Sequence, residues 1–404
     1  MPGRGPIPNK PLDNRKSLIM NIHKNSLAIC LMGAAILHCA SSKAQTVIQV
    51  AAGSYHSVFV KSDGSLWAMG HNVAGQLGIP SSDYCTNTPQ QIVAEDVTGI
   101  AAGSQHTLFV KKDGSLWGMG NNCQGQLGIG VRGVDDQPKK IVSGGVTAIA
   151  AGDVHSLILE SDGSLWAVGD NSFGQLGAAI LGNTTQPELL VPKGVKAIAA
   201  GFYHSLFLKT DGSLWVMGRN NFGQLGTGTT RNNYKPKEIV AGGVVAIAAG
   251  GFQSVFLKTD GSVWVMGRNS HGQLGDGTTN DVSLPEQIVA GGATAIAVGG
   301  HETMFLGENG SLWLMGSKTD EPSNDGTHSF INHPEQIVAS GVINIAAGLS
   351  HCLFVKSDGS LWAMGENNYG QLGYETRKTE IAQKTFEPTQ VVCQPLSRKS
   401  LARD

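Results

Sequence analysis

An all-β fold, a seven-bladed β-propeller of four-stranded antiparallel blades, is predicted by three features of this sequence. The first is a ruler. The seven tryptophans, Trp67, Trp117, Trp166, Trp215, Trp264, Trp313 and Trp362, are spaced by 50 residues once and by 49 residues five times. One unit is therefore written seven times, beginning near residues 46, 96, 145, 194, 243, 292 and 341. A constant period of this length marks stacked supersecondary units that cannot bury their apolar faces alone. The second feature is a series of short apolar runs between glycine-rich turns, with no sustained 3.6-residue periodicity to supply helices. The third is the tryptophan strand itself. In Leu214-Trp215-Val216-Met217 the first and third side chains point one way and the second and fourth the other. Both faces are apolar, so each sheet needs a cover on either side, which radially packed blades provide.

The fourth unit shows the elements in order. Strand A runs over Val195–Gly201, strand B over His204–Lys209, strand C over Gly212–Gly218, and a short strand D over Lys237–Val240 follows Pro236. Asp211-Gly212 between B and C suits a type I′ hairpin, which needs positive φ at both central residues. Five other units carry Asp-Gly there and the sixth carries Asn309-Gly310. Strands D and A are joined by a few small residues such as Ala241-Gly242-Gly243, whereas C and D are separated by a long loop. Short connections favour neighbouring strands, so the grouping predicted is a D-A-B-C meander. Because the chain enters on strand A (Val47–Gly53) and leaves on strand D (Pro388–Val392), that grouping makes the last strand complete the first blade and close the ring.

Residues 1–44 differ from the rest. Arg4, Lys10, Arg15, Lys16 and Lys24 precede an apolar run from Leu27 to Ala40, followed by Ser42-Lys43-Ala44. That order reads as a secretory signal peptide, from Met1 or from a start at Met20, and the run is too short for a bilayer span. Cys39 lies in a loose match to a lipidation site, a rival fate for the leader. The propeller is expected over residues 45–393 and a tail over 394–404. Without the leader the chain has 23 basic and 30 acidic side chains, a formal net charge of −7, which gives no general electrostatic footprint for nucleic acid. Cys85, Cys123, Cys352 and Cys393 remain, without a CxxC spacing that would suggest zinc; export permits disulfides among them, in any of three pairings.

The shared pattern is Ala-Ala-Gly-x-x-His-Ser, then Asp-Gly-Ser-Leu-Trp-x-x-Gly-x-Asn-x-x-Gly-Gln-Leu-Gly. Six units carry Gly-Gln-Leu-Gly: 75–78, 125–128, 174–177, 223–226, 272–275 and 370–373. Over residues 46–392 this resembles the regulator-of-chromosome-condensation repeat, whereas kelch repeats of similar length carry a different Gly-Gly, Tyr and Trp signature. The resemblance implies a seven-bladed propeller. Its founder is a nuclear exchange factor for a small GTPase that also touches chromatin, so nucleotide exchange is the alternative activity implied. Secreted propellers with similar repeats include a bacterial β-lactamase-inhibitory protein that acts by presenting a face to its partner.

Candidate chemistry is sparse. His56, His106, His155, His204 and His351 recur at one position, where Gln253 and Glu302 stand in the other two units. Equivalent residues on neighbouring blades are about 10 Å apart, and ligands of one zinc lie about 2 Å from the ion. One shared metal is thus excluded; a hydrogen bond to backbone at a tight turn is expected instead. Gly-Gln-Leu-Gly lacks the lysine and helix of a phosphate loop, and no nucleophile or metalloprotease motif occurs. No cofactor and no metal are expected, and a polysaccharide-cleaving enzyme is an alternative without a motif behind it. The variable positions are more informative. Antiparallel order places A–B turns and C–D loops on one face, and there Tyr55, Phe202, Tyr203, Phe252 and His301 occupy A–B turns, while Arg219 and Arg268 follow strand C. Phe222 and His271 are expected close by. Aromatics and arginine on a rigid scaffold are the usual anchors of interfaces. The sequence therefore predicts a monomeric, non-catalytic, exported scaffold that binds a protein or other extracellular macromolecule through this face.

Overall fold

The computed structural model describes residues 45–80, 84–177, 182–317, 330–374 and 385–391. Within them, 28 strands, β1–β28 in chain order, form seven four-stranded antiparallel sheets, and no helix is present. Each sheet takes four consecutive strands: the first is β1 (Val47–Ala52), β2 (His56–Lys61), β3 (Leu66–His71) and β4 (Cys85–Val93). The fourth is β13 (Val195–Ala200), β14 (His204–Lys209), β15 (Leu214–Gly218) and β16 (Asn233–Val240).

Both faces of each blade are covered, as the alternation in strand C requires. Leu214 and Val216 pack with Val244, Phe256 and Met266 of the fifth blade. Met217 on the opposite face packs with Phe207, Trp215 and the third blade's Leu157, Leu159 and Leu165. Seven such clusters fill the seven junctions between neighbours. Met217 is fully buried, a burial that contributes about 1.5–3 kcal/mol for a side chain of this kind.

The predicted grouping of strands is overturned. Strand order within every sheet is A-B-C-D, and the last strand, β28 (Thr385–Gln390), pairs with β27 (Leu361–Gly365) of its own blade instead of completing the first. The short D–A link does not fold D back onto A. It carries the chain from the outer edge of one blade to the inner strand of the next, where the Val244 amide donates to the Gly212 carbonyl at 3.2 Å. The ring closes without a shared strand, by packing and hydrogen bonds between the seventh and first blades. Val47 N–H donates to Gly359 O at 3.0 Å, and Leu353, Val355 and Leu361 join Val47, Phe59 and Trp67 in one cluster.

Two local expectations also change. The B–C hairpins are not type I′: Gly212 has φ +83°, but the only non-glycine residue with positive φ among the described residues is Asp96. Gly212 N–H donates to Lys209 O and Lys209 N–H to Ser213 O, each at 3.0 Å, the bonding of a type I turn closed by a glycine bulge. The Asp211 carboxylate accepts from Ser213 N–H at 2.8 Å, a local bond that holds the aspartate at negative φ. Strand D is also longer than expected and runs through Pro236, because it is the outer edge and its register skips between the Val216 and Gly218 pairings.

Candidate functional site

The histidine position is a latch between blades. His56, His106, His155 and His204 are fully buried. Their Nε2 atoms lie 2.9–3.0 Å from Thr107, Ser156, Ser205 and Ser254 of the next blade. Each hydroxyl donates to the carbonyl of Gln76, Gln126, Gln175 or Gln224. A hydroxyl with its one proton so used must accept from histidine, so Nε2 carries a proton, and the buried Nδ1 without a partner leaves the ring neutral. His351 makes the same bond to Ser57 across the closing junction. The expected partner, backbone at a tight turn, is therefore corrected to a side-chain hydroxyl one blade away. Burial depresses all four imidazoles, His56 and His155 to about 3 and His106 and His204 to about 4.

The same Gln-Leu segment builds the loop face. In the fourth blade Gln224 Oε1 accepts from Phe222 N–H at 3.0 Å and Asn220 Oδ1 from Leu225 N–H at 2.8 Å. These bonds staple the C–D loop and present residue 222 over the fifth blade. Gly218 fixes the other side: its φ is +106°, and a Cβ there would lie 2.5 Å from the Tyr203 carbonyl, which accepts from Arg219 N–H at 2.9 Å. The A–B turn and the residue after strand C are thereby held together.

The result is a connected patch. Tyr203 lies 5.4 Å from Phe173, 6.4 Å from Phe202 and 6.4 Å from Phe252, ring centre to ring centre. Phe252 in turn lies 5.5 Å from Phe202 and 5.1 Å from Phe222. The Arg219 guanidinium lies over three of these rings, 4.9 Å from Phe173, 5.6 Å from Tyr203 and 5.0 Å from Phe252. Arg268 lies 5.3 Å over Phe222. All of these side chains are half-buried. Burial, and then the hydrogen bond to Asp153, raises the Tyr203 phenol above its usual range, so it remains protonated.

Of the residues anticipated, Phe202, Tyr203, Arg219, Phe222, Phe252 and Arg268 come together. His271 and His301 form a ring pair 4.6 Å apart at the edge of this patch, joined to it through Ser270, which accepts from Arg268 Nε and lies 3.0 Å from His271 Nδ1. Tyr55 belongs elsewhere: it lies 6.3 Å from His71 and 5.2 Å from Tyr369, at the junction of the seventh and first blades. Phe173 and Tyr369 were not anticipated. Both hold the loop position of Phe222, two residues before the glutamine, and that register was the signal available for them.

The inner ends of the A strands line a narrow hub channel walled by alanine and glycine, with Phe202 and Leu349 as its large side chains. Among the described residues, no group of three or more His, Cys, Asp or Glu is placed to hold a metal ion. Among the described residues, Cys85, Cys123 and Cys352 form no disulfide. The leader, Cys393 and the tail, the segment Glu321-Pro322-Ser323-Asn324 and most of the long loop from Tyr374 to Phe386 lie outside the described residues. No described helix is long and apolar enough to cross a membrane.

Comparison with known proteins agrees with this architecture. The sequence profile of the RCC1-like domain matches residues 31–321, and two profiles of the regulator of chromosome condensation (RCC1) repeat match 342–371 and 358–401. No protein of curated function matches the chain in sequence. Human WBSCR16 is similar in structure, with a TM-score of 0.70 and 23% identity over 81% of this chain and 94% of that one. Prp20p from Saccharomyces cerevisiae, whose structure was described with its binding properties to Gsp1p and histones, has a TM-score of 0.71 and 20% identity over 87% of each chain. A second structure of the yeast protein, bound to Kap60, has a TM-score of 0.71 over 86% of this chain and 84% of that one. At these identities the likeness speaks for the fold, while the profile matches speak for descent. The chain belongs to the RCC1-like repeat family of seven-bladed β-propellers.

Proposed function

We propose that this propeller is exported and non-catalytic, and that it binds a partner protein through the loop face of its third, fourth and fifth blades. The observation that carries this reading is the contiguous aromatic and arginine patch around Tyr203 and Arg219. Rings and guanidinium groups held in place by their scaffold are the side chains from which interface hot spots are drawn. The basic and apolar order of residues 1–44 supports export. Affinity capture with the exported form from its source organism, followed by mass spectrometry, is expected to recover a protein partner. The Tyr203→Ala/Arg219→Ala double variant should fold normally by circular dichroism and recover about ten-fold less of it. Full recovery by that variant would remove the patch from the function.

Nucleotide exchange on a small GTPase is the second reading, favoured by family membership and by the yeast relative described with Gsp1p. Accelerated release of a fluorescent guanine nucleotide from a GTPase of the same organism is its direct test.

A further inference from the structure

Building on the reading of the loop face as a partner site, we propose that its ligand is an extended acidic segment of another protein, with two carboxylates three residues apart bound by Arg219 and Arg268. The two arginines occupy the same position on neighbouring blades, directly after strand C. Each is tied through Nε to its own turn, Arg219 to Asn221 Oδ1 at 2.8 Å and Arg268 to Ser270 Oγ at 2.9 Å. That bond fixes the plane of the guanidinium against the rings and leaves its Nη edge as a planar pair of donors. Among the described residues neither guanidinium has a carboxylate partner.

The nearby carboxylates keep their charge but bond to neutral donors rather than to the guanidinium groups. Asp153 takes the Tyr203 hydroxyl, and Asp170 takes Ser172 Oγ and Gln175 Nε2, each at 2.6 Å. The patch thus presents two half-buried guanidinium groups in aromatic surface, neither paired directly with a carboxylate. A pre-oriented guanidinium fork matches a carboxylate better than any other side chain does, and partial burial strengthens that attraction relative to water.

Spacing then limits the shape of the occupant. Neighbouring sheets lie about 10 Å apart. A polyproline II segment has three residues per turn and rises about 3.1 Å per residue, so carboxylates at i and i+3 fall on one side about 9 Å apart. The chain between them then crosses the part of the patch that holds Phe222 and Phe252, whose rings offer apolar surface at its edge. Charge and apolar surface together favour a protein segment over nucleic acid or a purely charged polysaccharide, neither of which offers the apolar side chains.

The test uses the full chain and fluorescein-labelled synthetic peptides in a Pro/Gly background, read by fluorescence anisotropy. Two glutamates are stepped through separations of two to five residues, with glutamine counterparts as controls. The i, i+3 peptide is expected to bind most tightly, and its glutamine counterpart about ten-fold more weakly. Arg219→Gln and Arg268→Gln should each weaken it by a similar factor, and binding should fall with added salt. Melting temperatures of both variants are measured so that misfolding is separated from lost contact. Equal binding of glutamate and glutamine peptides, or unchanged binding by folded glutamine variants, overturns the proposal. Tighter binding of a labelled oligonucleotide or heparin at the same arginines overturns it too. Should the glutamine variants still capture a native partner that Tyr203→Ala loses, the acidic-segment proposal fails while the partner site stands. Should Tyr203→Ala also capture it fully, both fail.

Discussion

Asp96 occupies a position that the other links give to glycine. In the D–A links, Gly145, Gly194, Gly243, Gly292 and Gly341 have φ between +79° and +88°, while Asp96 takes φ +69° in the first. An L-residue in this region brings Cβ against its own carbonyl, at a cost of about 1–2 kcal/mol that aspartate only partly offsets by local hydrogen bonding. Glycine removes the strain but loses more chain entropy on folding. The balance favours Asp96→Gly by about 0.5–1 kcal/mol, read as a higher urea midpoint at unchanged slope. A lowered midpoint would show that the carboxylate contributes more to the link than its backbone strain removes. At Gly218 the reverse substitution is unavailable, since the φ of +106° and the Tyr203 carbonyl leave no room for a side chain.

At the scale of the blade, the latch is the unit of cohesion, and its lapses are confined to one side of the ring. Gln253 replaces histidine in the fifth blade; towards the sixth blade its Nε2 donates only to backbone, at 3.4 Å to Gly299 O and 3.3 Å to Glu302 O, while its Oε1 accepts from Gln273 Nε2 at 3.4 Å. Thr303, the hydroxyl it should meet, is buried without a hydrogen bond. In the next junction buried Glu302 and Cys352 stand where histidine and a hydroxyl stand elsewhere. Leaving a buried hydroxyl unmade costs about 1–3 kcal/mol. Gln253→His should therefore raise stability by about 1 kcal/mol in chemical denaturation, and the gain should vanish when Thr303 is replaced by valine. A gain that survives Thr303→Val would mean the histidine acts by packing alone. The contrast also explains what sequence could and could not say. Tryptophan spacing, strand alternation and the division into two faces are local patterns, and they specified blade number and core. The latch joins residues about one repeat apart, and the destination of a three-residue D–A link depends on the neighbouring blade. Neither is written in a window of adjacent residues, so the histidine partner and the ring closure were misread. The patch was legible because residue type departs from the repeat at equivalent positions, although Phe173 shows that the register had to be followed through every blade.

For the whole propeller, the latches make stability a function of pH in a definite window. The neutral rings of His56, His106, His155 and His204 donate through Nε2, and their Nδ1 atoms are buried without a partner. Protonation would bury a charge beside the glycines at the ends of the inner strands, where a Cβ at Gly53, Gly103, Gly152 or Gly201 would already lie within 2.4 Å of an imidazole carbon. Folded values of about 3 to 4 stand against 6.5 for the free side chain, so between pH 6.5 and 4 the unfolded chain binds more protons than the folded one. Stability is then fully present above pH 6.5 and falls as the pH is lowered. At pH 5.5 each ring has cost somewhat more than about 1 kcal/mol of that stability, and the four together about 6 kcal/mol, a large share of a typical domain stability of about 5–15 kcal/mol. The hairpin aspartates Asp63, Asp113, Asp162, Asp211, Asp260 and Asp358 also have lowered values, chiefly through their serine hydrogen bonds, with burial opposing. Their stabilisation is present above the ordinary carboxylate range and is lost only in stronger acid, so the two groups separate along the pH axis. Denaturation midpoints from pH 7.5 to 5 should fall steeply, with an uptake approaching four protons on unfolding near pH 5.5. A flat profile over that interval would place the proton on the folded rings at little cost, and the neutral inter-blade latch would have to be abandoned.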